Sequence, residues 1–193
     1  MINNHILKYL KYLVDLNCIS EENIPEYEYE LLRMTESIIV IVAMLIVGAL
    51  FHCIIYCVVF MICFFLIRNR TGGFHLETFF QCFIGTIVLE IIGIYFINRW
   101  QVKLCLVFDI LTLLNYIFIM FLGALNHPNM NFTEEEYRNT KKMARFMVTL
   151  IFALILFLKW VEASTEVILF MEYAVSLSGI LLLLGKVTGQ YKK

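Results

Sequence analysis

From Ile38 to Ile67 the chain runs for 30 residues without one charged side chain. A segment that long and that apolar must be covered on every side, and the hydrocarbon of a bilayer is the solvent that does this. The rest of the composition agrees. Hydrophobic residues make up 61% and charged residues 16% of the 193, against about half and a quarter in a soluble domain. A disordered chain, a disulfide-stapled secreted domain and an ordinary soluble enzyme are excluded. The net charge of −1 gives no basic field for nucleic acid.

Further apolar blocks follow at Leu76–Ile97, Leu104–Leu125, Ala144–Leu158 and Val167–Gly185. A helix needs about 20 residues to cross the hydrocarbon core, and backbone there must be helical because lipid offers no hydrogen-bond partner. The expected class is therefore all-α, a polytopic membrane protein. Ahead of the blocks, Ile2, Ile6, Tyr9, Leu13 and Leu16 recur at helical spacing, with Asn4, Lys8, Lys11 and Asp15 on the other side. This reads as an amphipathic helix, too polar to span.

The 30-residue block is either one helix of about 45 Å or a hairpin. Gly48 is the only turn-like residue near its middle, so charge placement decides. With a hairpin, Arg99, Lys103 and Lys159 lie on one side and the other 12 Lys and Arg residues on the opposite side. One helix gives a weaker bias. The reading is six spans, with both termini, the Arg68–His75 loop and the 126–145 loop in the cytoplasm. Residues 1–193 form a single domain: an interfacial segment over 1–30, a membrane bundle over 31–185 and a cytoplasmic tail over 186–193. In the 126–145 loop, Asn126-His127-Pro128-Asn129 marks a turn and Thr133-Glu134-Glu135-Glu136 a capping box that starts a helix.

The six cysteines contain no Cys-x-x-Cys pair, and no His-Glu-x-x-His is present, so neither a metal nor another cofactor is expected. The most unusual stretch is Arg68-Asn69-Arg70-Thr71-Gly72-Gly73-Phe74-His75, with Cys82 beyond it. A cysteine nucleophile needs a base or a cation beside it. On one regular helix His75 and Cys82 would stand about 10.5 Å apart along the axis. They can pair only if the residues around His75 leave the helix and fold back, which Gly72 and Gly73 permit. From the residues alone, capping by His75 and packing by Cys82 account for the pattern equally well.

The spacing of Arg68, Gly72-Gly73, His75 and Cys82 resembles the signature of the accessory gene regulator B family, bacterial membrane peptidases that process a quorum-sensing precursor. The resemblance extends over essentially the whole chain, with one departure: Met130-Asn131 stand where family members often carry Lys-Pro. It implies a cysteine endopeptidase of the cell membrane, with Cys82 as nucleophile and His75 as general base and later acid. Arg68, Arg70, Gly72 and Gly73 would support the site or the substrate. The partner would be an AgrD-like peptide with an amphipathic start, a central signal segment and an acidic tail, which the enzyme removes before cyclising the signal. A homodimer within the bilayer is also implied. The alternative from another class is a small transporter or channel, with Glu90, Asp109, Asn115 and Glu172 lining a polar path.

Overall fold

The computed structural model describes residues 2–74, 76, 78–126 and 133–189, and their side chains except those of 2–4 and 101–104. Every regular element is helical: α1 (Ile2–Asp15), a short 3₁₀ turn (Glu21–Asn23), α2 (Ile24–Leu50), α3 (Ile54–Thr71), α4 (Phe79–Leu122), α5 (Glu134–Trp160) and α6 (Thr165–Val187). They supply six segments long and apolar enough to cross a membrane. The packing divides the chain into two units, residues 1–43 and 44–193. The first holds the amphipathic helix α1. The second holds the bundle.

The apolar block is two helices joined by a short turn, not one long helix. Helix α2 stops at Leu50 and α3 starts at Ile54. The stop is made by His52, which takes the left-handed conformation at φ 56°. Its N–H donates to Ala49 O at 3.1 Å, and the N–H of Cys53 donates to Gly48 O at 2.9 Å. This is the Schellman arrangement that satisfies the last carbonyls of a helix. Gly48 is not the turn residue. Its missing side chain makes room for Cys57, whose Cβ and Sγ would stand 3.0 Å from a Cβ at Gly48.

Helix α4 spans 44 residues, and its backbone leaves helical geometry at Trp100 (φ −133°, ψ 25°). The two arms fold back on each other there. Tyr173 of α6 donates its hydroxyl to Leu89 O at 2.7 Å, and the Phe108 ring meets the Tyr173 ring edge-on at 6.1 Å. On a straight helix residues 89 and 108 would be about 28 Å apart. The arms Phe79–Trp100 and Cys105–Leu122 are therefore separate spans.

Helix α6 is the centre of the bundle, packing against α3, α4 and α5. Two thirds of its apolar window (67%) is buried, against at most 39% in any other span. Small residues make this possible, since lipid supplies no hydrophobic drive and association rests on close packing. A Cβ at Gly179 would stand 2.6 Å from Asn115 Cβ, and one at Gly93 2.8 Å from Tyr173 Cδ1.

The intramembrane acids are mostly paired. Lys159, in the last turn of α5, bridges Asp109 of α4 and Glu172 of α6, the latter at 2.6 Å. Asn115 bonds within its own helix, to Leu111 O at 2.8 Å. Three of the four residues proposed to line a polar path thus have structural partners. Glu90 is buried, and among the described residues no N–H or O–H bonds to either carboxylate oxygen.

Candidate active site

Helix α3 ends in a loop shaped by its own arginine. Gly72 caps the helix at φ 65°, its N–H on Arg68 O at 3.1 Å, and Gly73 follows at φ 119°. Both conformations strain any residue with a Cβ. The Arg68 guanidinium turns back and donates to the carbonyls of Gly72 and Phe74. Its planar fork suits two acceptors at once. Of the two roles raised for Arg68, loop support is the one observed. Arg70 is exposed on the last turn of α3.

Two neighbours fix this loop from outside. Phe74 donates its N–H to Leu181 O of α6 at 2.8 Å. Gly185 lies beneath, and a Cβ there would stand 2.7 Å from both Phe74 N and Gly73 C. On the other side Leu125 N–H donates to Thr71 O at 2.9 Å, and Tyr137 Oη donates to Ala124 O at 3.0 Å. The connection after α4 is thereby tied to the glycine loop. Helix α5 begins at the capping box read from the sequence: Thr133 N–H donates to Glu136 Oε2 at 2.9 Å, and Glu136 N–H to Thr133 Oγ1 at 3.3 Å.

Helix α4 starts with a second capping box that the sequence reading overlooked. Thr78 Oγ1 accepts the Gln81 N–H and Gln81 Oε1 accepts the Thr78 N–H, each at 3.3 Å. The Thr-x-x-Gln signal was present, but it lay inside an apolar block that was read as continuous. Cys82 follows immediately, in the first turn, with its N–H on Thr78 O at 3.1 Å. Its half-buried thiol accepts the Leu76 N–H at 3.2 Å, and Leu76 O lies 3.8 Å from the sulfur. Cys82 thus sits at a helix N-terminus with a backbone amide on its sulfur.

His75, Glu77 and the turn residues His127, Pro128 and Asn129 lie outside the described residues. Of the other cysteines, Cys105 on the second arm of α4 is half-buried like Cys82, and the remaining four differ from it. Cys53, Cys57 and Cys63 are buried, and Cys18 is exposed after α1. His52 is exposed at the α2–α3 turn, the length of the 18-residue α3 away from Gly72. Among the described residues no group of three or more His, Cys, Asp or Glu is placed to hold a metal ion.

Comparison with known proteins yields one match. A family model described as accessory gene regulator B matches residues 3–185. No curated protein and no solved structure gives a significant match. The match covers nearly the whole chain and includes the glycine loop and Cys82, and we conclude that this six-span protein belongs to the accessory gene regulator B family, whose members take part in quorum-sensing peptide processing.

Proposed function

We propose that the protein is a membrane-embedded cysteine endopeptidase that cleaves an AgrD-like precursor at the end of its signal segment. The observation that carries this reading is the setting of Cys82: first turn of α4, with its thiol on the Leu76 N–H. His75 is bonded in the chain directly to Leu76 and is the general base. It takes the thiol proton, and Cys82 Sγ attacks the scissile carbonyl. His75 then returns the proton to the leaving nitrogen, and the acidic tail departs. A thiol or hydroxyl within the bound signal segment gives its proton to His75 and attacks the resulting thioester, Cys82 leaves as thiolate and takes that proton back from His75, and a cyclic thiolactone or lactone is released.

Exchange of thioester for thiolactone is nearly isoenergetic, but forming the thioester from an amide is uphill. Loss of the tail or removal of product must pull the reaction. Water would divert the intermediate, so in this reading the bound precursor itself must cover the thioester at this partly exposed site. The Gly72 and Phe74 amides are engaged by Arg68 O and Leu181 O. The Thr78, Gln81 and Cys82 amides are engaged by the capping box and by Thr78 O, so the oxyanion donors in this reading are the Phe79 and Phe80 amides, which have no helical carbonyl to bond.

The Arg68–His75 loop, the 126–145 loop and both termini face the cytoplasm in this reading, where the precursor is made. A homodimer in the cell membrane completes the proposal. The experiment is tail removal from purified precursor in proteoliposomes. Cys82→Ala and His75→Ala should each abolish it while inserting normally, and alanine at Cys18, Cys63 or Cys105 should leave most activity. Cleavage that survives Cys82→Ala would overturn the reading.

A further inference from the structure

At the opposite end of α3 from the glycine loop lies a second set of thiols. Cys53 is the N-cap of α3, and Cys57 follows one turn later. Their sulfurs stand 3.7 Å apart, with the residues only 5% and 0% exposed. A pair one helical turn apart is within the Cα span that a disulfide bridges. Cys53 is outside the helix proper (φ −130°, ψ 31°), its N–H on Gly48 O at 2.9 Å and its carbonyl accepting the Cys57 N–H at 3.0 Å, so the sulfurs close by side-chain rotation. The turn before it exposes Phe51 and His52, so the pair lies one residue below the molecular surface.

A third group faces the pair. The Glu90 carboxylate of α4, 1% exposed, lies against the Cys57 thiol, and no N–H or O–H among the described residues bonds to either oxygen. Tyr173 is the other ionisable group near Glu90, and its hydroxyl is already donated to Leu89 O. A buried acid whose neighbour is a thiol, with no N–H or O–H on it among the described residues, is costly and calls for an explanation. One set against the inner thiol of a close dithiol is placed to remove that thiol's proton.

We propose that Cys53 and Cys57 form a reversible thiol–disulfide site, with Glu90 as its base and a small external disulfide as its oxidant. Cys53 gives its proton to solvent and its thiolate attacks one sulfur of the external disulfide. The S–S bond breaks, and one thiolate leaves and takes up a proton. Glu90 then takes the proton of Cys57, whose sulfur attacks Cys53 Sγ. The mixed disulfide breaks, the second thiolate leaves, and Glu90 passes the proton to it. The two cysteines lose two electrons and two protons, and the external disulfide becomes two thiols. In the topology proposed above this turn faces outward, the side on which disulfides persist. The chemistry itself is independent of the peptidase reading.

The test treats the purified full chain with 2,2′-dithiodipyridine, then denatures and alkylates it. The tryptic peptide Met34–Arg68 carries Cys53, Cys57 and Cys63. It should lose two hydrogens and take up one alkyl group, on Cys63. Cys53→Ala should leave Cys57 alkylated. Glu90→Gln should form the disulfide at least about tenfold more slowly, and Glu90→Asp, which keeps a carboxylate, should recover part of the rate. Three alkyl groups on the wild-type peptide, or a disulfide through Cys63, would overturn the site. Equal rates in wild type and Glu90→Gln, or equal slowing in the Gln and Asp variants, would overturn the role of Glu90.

Discussion

The amide of Leu76 donates to the sulfur of Cys82 at 3.2 Å, six residues away along the chain. That contact exists because two helices stop and start in close succession. Gly72 and Gly73 end α3 in conformations open to glycine, and the Thr78–Gln81 box starts α4. Leu76 is thus set over the first turn of α4, with its amide on the sulfur.

Leu76→Pro removes the donor and keeps an apolar side chain. Because a hydrogen bond to a charged group is worth about 1.5–3 kcal/mol, Cys82 should alkylate about tenfold more slowly near neutral pH, with tail removal falling by at least as much. Leu76→Ala should behave as wild type in both. Equal alkylation rates in the Pro and Ala variants would show that the amide does not act on the sulfur.

Arg68→Lys keeps the charge but not the two-pronged reach to Gly72 O and Phe74 O. Activity should fall nearly as far as in Arg68→Ala, with membrane insertion intact. A lysine variant with full activity would mean that charge alone matters.

Gly185→Ala places a Cβ against Gly73 and Phe74, 2.7 Å from Phe74 N. Helix α6 or the loop must move, and Cys82 alkylation and tail removal should drop together. Gly189→Ala, where nothing lies within 4 Å of the added Cβ, controls for added bulk. Its left-handed φ of 72° means that it strains only the end of α6. Unchanged kinetics in Gly185→Ala would detach α6 from the site.

Lys159→Met leaves Glu172 buried without its partner. Removing one member of a buried pair costs about 3 kcal/mol, so thermal unfolding in detergent should move clearly downward. Adding Glu172→Gln should recover much of the loss. No change in the single variant would mean that the bridge is energetically neutral.

Cysteine labelling tests the sidedness. In a cysteine-free background, cysteines introduced at Arg70 and Thr140 should resist an impermeant reagent added outside intact cells and react after permeabilisation. Labelling of both from outside would reverse the proposed orientation.

Much of the fold was legible. The apolar blocks marked the spans, the basic residues chose the hairpin over one long helix, and the Thr133 box marked the start of α5. The hairpin turn itself was not. Helices α1, α2 and α5 end on Asn17, His52 and Glu162, all with φ between 53° and 56°, and none is the glycine that usually marks such a stop. Their conformations are held by bonds from the next residue back into the helix, such as Ala163 N–H to Leu158 O at 2.9 Å. At the site, the need for residues around His75 to fold back followed from helix rise alone, and the Leu76–Cys82 bond agrees with it. What no local pattern could disclose is tertiary: Gly185 beneath the loop, Lys159 reaching both Asp109 and Glu172, and the Cys53–Cys57–Glu90 cluster.

The most direct measurement for the central claim is mass spectrometry of the enzyme quenched in acid during incubation with its precursor. Cys82 as nucleophile predicts an adduct equal to the precursor minus its tail, on the peptide that contains Cys82, released by hydroxylamine and absent in Cys82→Ala. Full tail removal by Cys82→Ala, or an adduct on a different residue, would contradict it.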